Sequence, residues 1–173
     1  MIFLKIKTIV LIIIAALIIV LVKNKQDDII IPKESIRIRI IANDNNEISV
    51  NEKIKVKKSV EKELYSLLKN ANSSDEARKI INDNLDKLNL IIDENTNQKY
   101  EMNFGNNYFP KKIYKGIIYE EGFYESLVIT LGNGKGNNWW CVLFPPLCLF
   151  ESNENTNDVE YKFFIKELID KYF

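Results

Sequence analysis

Histidine is absent from this 173-residue chain. With it go the commonest general base and metal ligand at neutral pH, and any Ser-His or Cys-His pair. A net charge is missing too: Lys+Arg and Asp+Glu each number 24, so no global basic field argues for DNA or RNA as a partner. Cysteine is scarce, and two of them cannot build a tetrahedral zinc site without carboxylates or a second chain. No cofactor or metal is expected. Acidic residues are plentiful, yet no spacing marks a pair of them as catalytic. What remains is length enough for one domain with an anchor or tail, since about 140 residues can bury a real core.

The N-terminus holds the longest apolar run, Thr8 to Val22, extended back to Ile2 by a stretch broken only by Lys5 and Lys7. As a helix, Ile2 to Val22 would reach about 31 Å at ~1.5 Å per residue, enough to cross the hydrocarbon layer. Leu21, Val22, Lys23 and Asn24 offer no small-residue cleavage pattern, so an uncleaved transmembrane anchor is expected rather than a removed signal peptide. Lys5 and Lys7 before the run balance Lys23 and Lys25 after it, and charge does not orient it. The chain therefore divides into residues 1–25 as anchor or signal segment, 26–35 as a polar linker, and 36–173 as a single domain.

Ile36, Ile38 and Ile40 alternate with Arg37 and Arg39, the period of a strand with one apolar face. Asn43, Asp44, Asn45 and Asn46 end it; such residues either bind a cation or hold an Asx turn that caps the next helix. From about Glu47 to Asn70, Val56, Val60, Leu64, Leu67 and Leu68 recur at helical spacing, and Lys53, Lys55, Lys57, Lys58 and Lys62 load the remaining surface. Ser73 followed by Glu76 has capping-box spacing, and Ala77, Ile80, Ile81, Leu85, Leu88 and Ile92 continue as a second amphipathic helix. Tyr100, Met102 and Phe104 mark a strand ended by Gly105, Asn106 and Asn107, after which Tyr108, Phe109 and Pro110 read as a loop lidding the core. Ile117–Tyr119 and Phe123–Leu131 add strands, and Tyr161, Phe164, Ile165, Leu168 and Tyr172 form the stripe of a C-terminal helix that docks on the domain.

One stretch is denser in special chemistry than the rest: Leu131 to Phe150, LGNGKGNNWWCVLFPPLCLF. Gly132, Gly134 and Gly136 predict a tight reversal, read as a hairpin joining Phe123–Leu131 to an antiparallel strand Trp139–Phe144. GNGKGNNWW lacks the Gly-Lys-Ser/Thr ending of a P-loop, and a strand follows it, which argues against nucleotide. Adjacent strand residues point to opposite faces, so one of Trp139 and Trp140 fills the core and the other is left for an interface.

The segments IRIRIIAND and NWWCVLFPPLC resemble the stage II sporulation protein R family of endospore-forming bacteria, over roughly Ile36 to Phe150. Asp44 and Asn45 stand where the family usually has Ser and Asp; Gly122, Tyr124 and Glu125 match a family Gly-x-Tyr-Glu pattern. The resemblance implies a non-enzymatic signal that the forespore exports, and that activates a membrane-embedded aspartic-type protease, which then processes a sigma-factor precursor. It places the domain outside the membrane of the cell that makes it, anchored or secreted. That location would allow Cys141 and Cys148, across the Pro145–Pro146 turn, to form a disulfide if their Cα atoms approach within about 7 Å; two buried thiols are the alternative. The expected contact edge is Lys135, Asn137, Asn138 and the more exposed of Trp139 and Trp140, with Asn43 and Asp44 as a second candidate. Rival readings are an extracytoplasmic hydrolase with a carboxylate cleft beside the glycine hairpin, and an envelope or lipid-binding structural module. The fold expected is α+β: a mainly antiparallel sheet of four or five strands, two helices on one face, a C-terminal helix and one N-terminal span.

Overall fold

A computed structural model describes residues 29–114, 117–148 and 158–173, together with Lys7, Ile13 and Ile14. The fold is α+β. In chain order its elements are β1 (Ile29–Ile30), β2 (Ile36–Ile41), α1 (Glu47–Leu68), α2 (Ser74–Asp83), α3 (Leu85–Asp93), β3 (Tyr100–Phe109), β4 (Lys112–Tyr114), β5 (Ile117–Tyr119), β6 (Gly122–Leu131), β7 (Asn138–Phe144) and α4 (Asp158–Tyr172). The N-terminal apolar run lies outside the described residues apart from three of them. Among the described residues no helix is long and apolar enough to cross a membrane.

The main sheet has four strands in the order β3-β6-β2-β7. β3 pairs antiparallel with β6, β6 parallel with β2, and β2 antiparallel with β7. This corrects the hairpin expected between β6 and β7: β2 lies between them, so the sheet is mixed and residues 132–137 arch over the end of β2 instead of turning back tightly. Six residues reach easily across the roughly 10 Å that one intervening strand occupies. A second sheet, β1-β5-β4, has β1 parallel and β4 antiparallel to β5. The region read as a linker thus belongs to the fold from Ile29 onward, with Ile31 and Ser35 buried.

Two cores cover the two faces of the main sheet. On one, Ile36, Ile38 and Ile40 of β2 pack with Val56, Val60, Leu64, Ile81, Leu88 and Ile92 of the helices. On the other, Phe109, Tyr119, Tyr124, Trp140 and Val142 pack with Tyr161 and Ile165 of α4, as the C-terminal stripe foretold. Asn46 caps α1, its side chain accepting from Ser49 N at 2.8 Å. Ser73 caps α2 by accepting from Glu76 N, while the Glu76 carboxylate reaches back to Asn72 N at 2.9 Å. The single second helix expected from the 3.6-residue period is broken at Asn84, whose backbone leaves the helical region. Its amide donates to the Ile80 carbonyl at 2.8 Å, a local bond that competes with the helix ladder. β3 does not stop at Gly105 but runs on to Phe109, so Phe109 closes the second core from a strand rather than a loop.

Candidate functional site: the arch over the central strand

β2 ends at Ile41, and Ala42–Asn46 turn the chain into α1. The Asx reading of this turn holds: Asp44 Oδ1 accepts from Asn46 N at 3.0 Å and its Oδ2 from Asn43 Nδ2 at 2.8 Å. Residues 132–137 cross above it and are knitted to it. Lys135 N donates to the Asn43 carbonyl and Gly136 N to the Ala42 carbonyl, both at 2.9 Å. Asn133 N donates to Asn43 Oδ1 at 2.8 Å, and Asn137 N to Asn45 Oδ1 at 2.7 Å. Lys53 of α1 completes the contact by donating to the Asn137 carbonyl at 2.9 Å; burial and the neighbouring Lys57 charge lower its pKa.

The glycines are required by proximity. A Cβ on Gly132 would sit 2.3 Å from Asn43 Oδ1, and one on Gly136 would sit 2.3 Å from the Asp44 carbonyl oxygen. Gly132 also has φ +55°, in the left-handed region where a side chain is strained. The two segments singled out in the sequence, Asn43–Asp44 and Lys135–Asn138, are therefore one structural unit. On its outer side Lys135, Asn137 and Asn138 are exposed, while Asn43 and Asp44 are half-buried between the two layers.

The tryptophans point to opposite faces. Trp139 is half-buried on the helix side, with the Lys57 ammonium 4.5 Å from its ring centroid. Trp140 is buried in the second core, edge-on to Phe109 at 5.4 Å and Tyr119 at 5.3 Å. Trp139 is thus the one that borders the arch surface. Cys141 and Cys148 are both buried; the Cys148 Sγ lies 2.9 Å and the Cys141 Sγ 3.6 Å from the Val142 carbonyl oxygen, each as a thiol donor.

Sequence reasoning missed Arg37. Read as the polar side of β2, it is fully buried, its Cζ 3.3 Å from the Tyr124 ring centroid and 5.2 Å from that of Phe109. Desolvation lowers its pKa to about 10 against the opposing influence of Tyr124 and Tyr119. Arg39 beside it stacks on Phe109 at 4.1 Å and donates to the Tyr108 carbonyl. A signal was present in the apolar residues of Ile117–Tyr119 and of the C-terminal stripe, which need a second sheet face to cover.

One groove among the described residues lies away from the arch. It has a volume of about 180 Å³ between α1 and the end of β7, lined by Leu64, Tyr65, Leu68, Leu143, Pro146 and Cys148 among others. Among the described residues, Asp44, the carboxylate of the arch, has both oxygens engaged in holding the turn.

This is a sporulation protein, and the chain belongs to the stage II sporulation protein R family, whose sequence model matches residues 32–154. It is 37% identical over 147 residues to the stage II sporulation protein R of Bacillus subtilis (strain 168), a match covering 81% of this chain and 66% of that protein. The chain thus spans about two thirds of the length of that curated relative. No solved structure matches the chain. Both halves of the arch fall inside the family match.

Proposed function

We propose that this protein is a sporulation signal, exported from the forespore, that acts by binding: it activates a membrane-embedded aspartic-type protease in the neighbouring compartment, which processes a sigma-factor precursor. Membership of the family supports the sporulation setting. The observation that carries the binding mode is the interlocked arch, a rigid edge that presents Lys135, Asn137 and Asn138 outward and is bordered by Trp139. Its backbone amides are used up internally, so a partner meets a surface already in its bound shape and little ordering entropy is lost on association. A half-buried tryptophan beside polar, exposed side chains is the composition of an interface anchor and its rim. The N-terminal run, in this reading, holds the domain at the membrane it was exported across.

The test is reconstitution. Full-length protein is added to membranes that carry the candidate protease together with its precursor substrate, and cleavage of the precursor is followed. Cleavage that depends on the added protein supports the reading. Cleavage at the same rate without it, or none with it, removes the activating role.

A further inference from the structure

The small sheet presents an apolar row to solvent. Register places Ile30 beside Ile118 and Ile118 beside Ile113, so the three side chains lie in one line across β1, β5 and β4. Their neighbours Ile29, Ile117 and Tyr114 face the second core; the row therefore points the other way. Ile30 is 54% exposed and Ile113 65%. An apolar surface of this kind on a small domain marks a contact, and nothing among the described residues covers it.

The length of chain that precedes β1 says what does. Only Lys23 to Asp28 separate the end of the apolar run at Val22 from β1 at Ile29. Six residues span at most about 20 Å when fully extended, against about 5–8 Å for the headgroup layer on one side. A run that enters a bilayer thus keeps β1, and with it the row, close to the lipid surface. We infer that the outer face of the β1-β5-β4 sheet lies on that surface, with Ile30, Ile113 and Ile118 at the boundary of the acyl chains. This rests on the reading of the N-terminal run as a membrane segment.

β6 begins at Gly122 beside the small sheet and ends at Leu131 beside the arch, about 30 Å along at ~3.3 Å per residue. The isoleucine row and the arch thus lie at opposite ends of β6.

Photocrosslinking tests the inference in the full chain reconstituted into vesicles of phosphatidylcholine and phosphatidylglycerol. A benzophenone amino acid is placed at position 113, or at position 135 as the comparison; both are exposed, so folding is not at stake. The expected result is a lipid adduct at 113 and none at 135, with the protein retained in the pellet after alkaline carbonate. An adduct of twice the protein mass at 113 would mean that a second copy covers the row, and would overturn the inference. So would retention in the pellet with no lipid adduct at 113, which leaves the membrane segment standing. Release of the protein by carbonate would remove the membrane segment, and this inference with it.

Discussion

The two ends of β6 are built on opposite terms. At its C-terminal end the arch is polar and held by hydrogen bonds to backbone and amide groups, with glycines where no side chain fits. At its N-terminal end the small sheet is apolar, held by burial of Ile117, Tyr119 and Tyr114 against the aromatic second core. Shape at the arch is set by atoms within bonding distance and tolerates almost no displacement. Shape at the small sheet is set by volume and tolerates exchange of one apolar residue for another. The lesson is that one strand can lead from a forgiving apolar sheet to a rigid polar edge, each failing in its own way.

The largest expected effect is at the second core. Trp140→Ala should cost about 3–5 kcal/mol, a large part of the ~5–15 that a domain of this size holds, and chemical denaturation would measure it. Trp139→Ala, at a half-buried position, should cost clearly less. If the two are equal, the contrast between a core and a bordering tryptophan is gone.

Next comes the arch itself. Gly136→Ala sets a methyl 2.3 Å from the Asp44 carbonyl oxygen, so the arch must lift; a loss of about 1–3 kcal/mol is expected from such overpacking. Hydrogen exchange should show faster amides at Lys135 and Gly136 while β4 and β5 keep their protection. Uniform acceleration would mean that the two ends are not separate.

Asn43→Ala removes the acceptor for Asn133 N and the donor to Asp44. About 1–2 kcal/mol should be lost, the cost of leaving such groups unpaired in a half-buried site. Lys135→Ala, on the exposed surface, should stay within about 0.5 kcal/mol of the parent. That small effect on folding makes it informative about binding.

Much of this was legible in the residues. Alternation in IRIRII marked β2, the apolar stripes marked α1 and α4, and Ser73 with Glu76 marked the start of α2. Side-chain period reports which face a residue takes, not which strand lies next to it. The insertion of β2 between β6 and β7 was therefore hidden, and with it the joining of Asn43 to the glycine segment. Arg37 read as solvent-facing because alternation cannot tell one covered face from two. β1 was not read as a strand because three isoleucines in a polar stretch, Ile29 to Ile31, are too short a signal to carry a period.

The bridge foreseen between Cys141 and Cys148 remains a proposal: both thiols approach one carbonyl oxygen, that of Val142. An oxidised, exported protein should resist alkylation at both positions after denaturation without reductant, and mass spectrometry would read it. Alkylation of both shows a pair of thiols.

Under the proposed function it is the arch, not the apolar face at the other end, that the protease reads. This is tested most directly by precursor cleavage in membranes carrying the protease, comparing the parent protein with Lys135→Glu, Asn138→Ala and Ile113→Ser at matched thermal stability. The account predicts that the two arch variants lose most activation while Ile113→Ser, supplied at the same membrane density, retains it. Full activation by both arch variants, with loss confined to Ile113→Ser, would contradict it.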